Sequence, residues 1–288
     1  MKVGLIPINV GLRDPERLVS LVRKAEEVGI ESAWTFEHVI VPADYQSRYP
    51  YSAEGKMGAT PETPFVDPLI ALTFAAAHTK TLRFGTGINI MPQANPLLMA
   101  KQVASLDVLS GGRFMLGVGA GWLREEFDAL GVPFERRGAR FDEYLVAMKK
   151  VWSGDLVEHQ GEFVRFHNFK SYPLPVQRPH PPIIIGGTSR AALTRVVKHG
   201  DGWYAPSSGV DTLAKKLEEL RAIARELGRD PASIEISSTW AYALEGLDSL
   251  GRYEELGVSR LIVPTLALGS RNPLEGLERL GEQLARKR

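Results

Sequence analysis

Short apolar runs alternate with amphipathic stretches about eight times along this chain, and that rhythm constrains its fold more than any motif does. The runs are Val3–Ile8, Ser32–Phe36, Leu82–Ile90, Arg113–Val118, Ile183–Ile185, Gly202–Tyr204, Ile234–Thr239 and Leu261–Pro264. Between them lie stretches with helical spacing, two of which open on an acid-and-proline pair, Asp14-Pro15 and Asp67-Pro68. A carboxylate before a proline suits a helix start, because the missing N–H would have no partner there. Alternation of this kind implies a parallel sheet, and eight units imply a closed (β/α)8 TIM barrel. An open doubly wound sheet competes with it, but would more naturally carry a dinucleotide fingerprint after the first strand. Ile8-Asn9-Val10-Gly11 is not one. The rhythm predicts one domain over residues 1–288, with insertions after strand 2 and before strand 5.

The first insertion, Val39–Phe65, shows no periodicity, and a loop that long in a compact chain is usually a lid, a binding loop or a mobile segment. Its Tyr45, Tyr49 and Tyr51, with Arg48 and Lys56, could line a pocket or simply cover a surface. The second insertion, Gly154–Pro182, could pair Val164–Phe166 with Leu156–Glu158 as a short hairpin. Between Trp122 and Trp152 the helical pattern splits into Trp122–Leu130 and Arg140–Trp152, broken at Gly131-Val132-Pro133.

Charge and composition remove several functions. Lys and Arg total 35 against 34 Asp and Glu, so no bulk attraction to nucleic acid or membrane follows. The chain has no cysteine, which excludes disulfides, thiolate catalysis and thiolate metal sites. No apolar run approaches the roughly 20 residues of a membrane span, and the first residues read as a strand rather than a signal peptide. A cytoplasmic protein acting on a small molecule is expected.

In a barrel the chemistry sits on the loops that follow strands. Glu37-His38, Ile88-Asn89, Gly119–Trp122 and Gly186–Thr188 all fall there. His38 is the sharpest candidate, since a histidine at the mouth titrates near neutral pH and can move a proton. The alternative is a ring bonded to a neighbouring loop. Gly85-Thr86-Gly87 and Gly117–Gly121 suit either tight turns or a flat ligand approaching bare backbone. Gly186-Gly187-Thr188-Ser189 offers N–H groups and hydroxyls at a helix start, fit for a phosphate or an ordinary cap. Trp122 could stack on an aromatic ligand or pack into the rim. Glu125, Glu126 and Asp128 read as a solvated helix face, and Arg136, Arg137 and Arg140 as surface or ion-pairing residues, one of which could reach a phosphate. His78 and His199 end helices, and His159, His167 and His180 match no metal spacing.

SAWTFEHV, the SRYPYS loop, RFGTGINIMPQANP, LDVLSGGRF, LGVGAGWLREEFDALGVPFERRGARFDEYL and PPIIIGGTSRAALTRVVKHGDGW occur in that order. With them the chain resembles the bacterial luciferase-like flavin superfamily, and within it the coenzyme F420-dependent oxidoreductase branch. The resemblance covers roughly residues 3 to 205. It implies a barrel holding a flavin or 5-deazaflavin at its mouth, with His38 near the reactive face as proton donor or orienting group. It further implies cofactor contacts at Gly87, Ile88 and Asn89, with a non-prolyl cis peptide at Gly87-Ile88. Gly119, Gly121 and Trp122 would border the substrate side, and Gly186, Gly187 and Thr188 would hold the phosphate. Glu37 stands where relatives often have Asp. Sugar-phosphate dehydrogenases of the superfamily carry glutamate directly after the GxG turn, where this chain has Trp122, so a less polar substrate is expected. The resemblance thus implies F420-dependent hydride transfer to or from a small organic substrate, and commonly a homodimer. Alternatives are an FMN-dependent monooxygenase using O₂ and a non-catalytic cofactor-binding barrel.

Overall fold

Residues 1–206, 209–269 and 272–287 are described by the computed structural model. The first apolar run is strand β1 (Lys2–Ile6), followed by helix α1 (Pro15–Glu27), whose Glu16 N–H is capped by the Asp14 carboxylate at 3.0 Å. Strand β2 (Ser32–Thr35) leads into the long loop and then α2 (Pro68–Ala77) and β3 (Arg83–Thr86). A two-residue strand, β4 (Asn89–Ile90), precedes α3 (Pro96–Leu109) and β5 (Phe114–Gly119). Asp67 caps α2 through its side-chain oxygen, as the Asp67-Pro68 pair suggested, and Asn95 caps α3 in the same way. Helices α4 (Arg124–Ala129) and α5 (Arg137–Val151) follow, then the antiparallel pair β6 (Val157–Gln160) and β7 (Arg165–Phe169). The chain continues through β8 (Ile183–Gly186), α6 (Arg190–His199), β9 (Gly202–Ala205) and α7 (Val210–Glu226). It ends with β10 (Glu235–Thr239), α8 (Tyr242–Glu245), α9 (Leu250–Glu255), β11 (Arg260–Pro264) and α10 (Pro273–Lys287).

Parallel pairing runs β1–β2–β3–β5–β8–β9–β10–β11 and returns to β1, which closes an eight-stranded (β/α)8 barrel. Strand alternation divides the apolar residues into two populations. Leu5, Ala33, Phe84, Leu116, Ile185, Trp203, Leu261 and Val263 face the helices in one large core. Ile6, Trp34, Met115, Ile184, Tyr204 and Ile262 form a smaller cluster inside the barrel, where Trp34 and Tyr204 stack at 5.9 Å. Gly85 makes room for Trp34, since a Cβ there would lie 2.4 Å from the indole.

The end of the barrel at which the strands begin is plugged by charge. Arg260, wholly buried at the start of β11, donates to both Glu31 oxygens at 2.7 Å, to Ser237 Oγ at 3.0 Å and to Glu235. Burial opposes ionisation of Glu31 and Glu235, but the guanidinium outweighs it and holds both carboxyls below their usual range. One forked cation thereby ties together the starts of three strands far apart in sequence.

Several expected boundaries differ. The single strand expected over Leu82–Ile90 is broken by a cis peptide at Gly87-Ile88, leaving β3 and β4. Helix α5 begins at Arg137 rather than Arg140. Gly138 in its first turn weakens the helical pattern there, and Arg136 before it is left-handed. The hairpin pairs His159 with Phe166 and Gln160 with Arg165, so it starts later in both strands than expected. Among the described residues no helix is long and apolar enough to cross a membrane.

Candidate active site

The barrel mouth is built outward from a buried asparagine. Asn9, just past β1, has no exposed surface; its Oδ1 accepts from the Phe36 N–H at 3.0 Å. Its Nδ2 donates to the Phe36 carbonyl at 2.8 Å and the Val66 carbonyl at 2.6 Å. This one side chain therefore fixes the turn after β2 that carries Glu37 and His38. An amide in an otherwise apolar run was the available signal for Asn9, and pattern reading passed over it.

His38 stands within a ring of aromatic groups. Its imidazole meets Phe65 edge-on at 5.4 Å and Trp122 at 6.1 Å, and its Nδ1 lies 3.0 Å from Glu126 Oε2. Trp122 in turn packs against Tyr49 at 5.1 Å and Tyr45 at 5.7 Å, and Tyr49 against Tyr51 at 5.4 Å. The long loop's tyrosines thus join the site rather than only covering a surface. Lys56 is spent within that loop, over the Tyr45 ring at 3.9 Å and donating to the Tyr45 carbonyl.

The acids of α4 are not a solvated face, as helical spacing suggested. Glu126 is 1% exposed, and its Oε1 accepts from the N–H groups of Val39 and Ile40 at 2.7 and 3.3 Å. Glu125 Oε1 accepts from the N–H groups of Gln46 and Ser47 at 2.7 and 3.1 Å. Only Asp128 is exposed as expected. The reason is tertiary: the first turn of α4 lies under the long loop, whose backbone donors need acceptors.

Glu37 lies on the other side of the same turn. It accepts from Asn89 Nδ2 at 2.7 Å and from the Ile90 N–H, bracing the segment just after the cis peptide. Burial pushes its carboxyl up to about 8, against the pull of the Ile90 N–H and with help from the nearby negative charges of Glu126 and Asp67. A carboxyl whose folded value lies above its ordinary 4.5 contributes stability that is full below that value and lost as pH rises toward 8. Glu37→Gln is therefore expected to flatten the fall in melting temperature between about pH 5 and pH 8. Thermal melts across that range check this; parallel curves for variant and wild type would refute it.

The glycines divide by what lies over them. A Cβ on Gly119 would come 1.8 Å from Ile88 Cδ1, and one on Gly186 would come 2.9 Å from Ile88 Cγ2. The space over Gly119 and Gly186 is therefore filled by the Ile88 side chain, which caps the inner cluster from above the Gly87-Ile88 bond. Gly121 has φ +79° with Ile90 and Phe127 against it, and turns the chain toward Trp122. Gly187 has φ +109°, and its carbonyl accepts from Trp203 Nε1 at 2.8 Å, a second anchor that pattern reading missed. Ser189 caps α6 through the Ala192 N–H at 3.2 Å, which leaves the Thr188 hydroxyl without a protein partner among the described residues. Asn89, 2% exposed, likewise has a buried Oδ1 with no partner. Arg136, Arg137 and Arg140 are engaged around the α4–α5 connection, with Glu162, with the Gly121 carbonyl and Phe134 ring, and with the Pro133 carbonyl.

The luciferase-like monooxygenase family matches residues 6–245. An uncharacterised protein of Mycobacterium tuberculosis is 32% identical over 246 residues, 85% of this chain and 83% of its own length. The FMNH2-dependent dimethylsulfone monooxygenase of Pseudomonas putida is 36% identical over 137 residues, covering 46% of this chain and 38% of that one. The F420-dependent hydroxymycolic acid dehydrogenase of Mycobacterium tuberculosis is 27% identical over 223 residues, 76% of this chain and 56% of that one. Among solved structures, an F420-dependent secondary alcohol dehydrogenase superposes with a TM-score of 0.77 at 18% identity, covering 98% of this chain and 97% of that one. At that identity the superposition speaks for the fold alone.

Proposed function

This chain belongs to the luciferase-like monooxygenase family, and on that premise we propose that it is a coenzyme F420-dependent oxidoreductase. The reaction is hydride transfer between the deazaflavin C5 and a small, weakly polar organic substrate. The observation that carries the reading is His38 at the end of β2. It is 13% exposed as a side chain, walled by Phe65 and Trp122, with one nitrogen held by a carboxylate and the other without a protein partner among the described residues.

The residues fit a phosphate-bearing tricyclic cofactor. The Thr188 hydroxyl and the first N–H groups of α6 have the chemistry to hold its phosphate, beside the Gly186-Gly187 turn. The orphaned Asn89 Oδ1 has the chemistry to accept a ring N–H, and the Gly87-Ile88 segment underlies it. Gly119, Gly121 and Trp122 border the substrate side in this reading. When bound, the cofactor supplies or takes the hydride, which no side chain here can do. His38 takes the substrate's hydroxyl proton or returns it. Tyr45, Tyr49 and Trp122 exclude water and favour an apolar substrate, consistent with the absence of a carboxylate at position 122.

The F420 assignment is supported by the sequence motifs and by the similarity to an F420-dependent dehydrogenase across most of this chain. The similarity to an FMNH2-dependent monooxygenase over about half of it favours a second reading, oxygen activation by reduced FMN. Ile70 and Phe74 of α2 and Leu98 of α3 are exposed apolar side chains on two helices that pack together, which supports a homodimer.

Titrating the purified protein with F420 and FMN side by side decides between these cofactors. Micromolar or tighter binding of F420, with FMN much weaker, is expected. Preference for FMN would move the function to oxygen chemistry, and binding of neither would sink the cofactor assignment.

A further inference from the structure

Glu126 carries a carboxyl group buried to 1% exposure, and hydride transfer as described above does not require it. Its two oxygens have separate tasks. Oε1 accepts from the backbone N–H groups of Val39 and Ile40, and Oε2 meets His38 Nδ1 at 3.0 Å. A carboxylate can only accept, so in this contact Nδ1 carries the proton. A neutral ring protonated at Nδ1 has a bare lone pair at Nε2. That nitrogen has no protein partner among the described residues. Glu125 gives an internal contrast, for it clasps Gln46 and Ser47 of the same loop and has no hydrogen bond to the imidazole among the described residues.

We propose that Glu126 is the positioning residue of this site: it fixes His38 as the Nδ1–H tautomer, leaving Nε2 to receive a substrate proton. The same carboxylate locks the first residues of the long loop beside that ring. The inference rests on the reading of His38 as the proton-transfer group. In the oxidation direction the substrate carbon gives a hydride to the bound cofactor and its hydroxyl gives a proton to His38 Nε2, leaving a carbonyl. The ring then bears two N–H groups and a positive charge, which the Glu126 carboxylate at Nδ1 offsets. Reduction runs the same transfers backwards, from a ring that starts protonated.

Substitution by glutamine makes a sharp test. The Val39 and Ile40 N–H groups can be satisfied only by an oxygen, so the new amide must place its carbonyl on them. Its NH₂ group then faces His38 Nδ1 and donates to it, which forces the ring proton onto Nε2. Glu126→Gln is therefore expected to reverse the tautomer rather than merely loosen the ring. Long-range ¹H–¹⁵N correlation spectra of the cofactor-free protein read this directly, at a pH where the ring is neutral. The His38 signals are assigned by their loss in His38→Gln.

The wild type and Glu125→Gln are expected to show a bare Nε2, and Glu126→Gln a bare Nδ1. With substrate and cofactor, kcat of Glu126→Gln is expected to fall about tenfold or more, since an imidazole in the wrong tautomer cannot accept at Nε2. A wild-type ring protonated at Nε2 would overturn the proposal without any variant, so a Glu126→Gln protein that does not fold leaves the test intact. An unchanged tautomer in a folded Glu126→Gln protein would also overturn it. Because the spectra need no cofactor, the two readings fail separately. Reversal of the tautomer in a protein that binds neither cofactor supports the positioning role and removes the oxidoreductase. Tight F420 binding with no reversal does the opposite.

Discussion

Gly117→Ala is expected to lower the melting temperature by about 10 °C or more, through a single added methyl group. A Cβ at this position would lie 1.7 Å from the Thr86 carbonyl oxygen and 2.8 Å from its carbon. Those are backbone atoms, so no rotamer change relieves the clash. The site is also the seam of the barrel. Strands β3 and β5 pair at Phe84–Phe114 and Gly85–Met115, and the pairing then gives way to a side-chain bridge. Thr86 Oγ1 donates to the Gly117 carbonyl at 2.6 Å and accepts from the Gly117 N–H at 2.9 Å. Overpacking a well-filled interior costs roughly 1–3 kcal/mol. Parting the strands would also strip two buried hydrogen bonds, at about 1 kcal/mol or more each. A total of about 4 kcal/mol is a large share of the roughly 5–15 kcal/mol that holds a folded domain. Gly251→Ala is the control: nothing lies within 4 Å of a Cβ there, and it sits inside a helix. Alanine should be neutral or slightly stabilising at that position. Thermal melts of the two variants compare the sites directly, and similar melting temperatures would contradict the seam argument.

The residues that resisted sequence reading have one property in common. Apolar spacing and capping pairs are local, so the alternation of strands and helices, the insertions and the mouth position of His38 were all legible. The groups that anchor the mouth are engaged across long separations. Glu126 and His38 are 88 residues apart, and within its own helix Glu126 is spaced like any solvated acid. Nothing near it in sequence says that a loop carrying unpaired N–H groups lies on top. Arg260 and Glu31 are 229 residues apart, one opening β11 and the other just before β2, where a charged residue attracts no notice. The glycines show a different limit. Gly119 and Gly186 were legible as places where something approaches the backbone closely, and the structure brings the Ile88 side chain against both. Pattern reading detects that space is needed; only the assembled barrel shows which side chain takes it.

His38→Ala is expected to reduce turnover by about 10²–10⁴-fold while leaving the cofactor dissociation constant within about threefold, the ordinary range for loss of one general acid or base. The fold should survive the change. The imidazole packs edge-on against Phe65 and Trp122, and Trp122 keeps its contacts with Tyr45 and Tyr49 without it. Glu126 loses one partner but retains the Val39 and Ile40 N–H groups, so its carboxylate is not left bare. Steady-state turnover measured beside cofactor titration separates the two effects: a structural role would weaken binding and turnover together, a proton-transfer role turnover alone. Added imidazole sharpens the distinction, because the space vacated between Phe65, Trp122 and Glu126 has the shape and the acceptor to hold one. Partial recovery of turnover with free imidazole, rising with its concentration, is what a missing proton carrier predicts. Undiminished turnover in His38→Ala would remove the histidine from the chemistry and leave the aromatic wall as its only function.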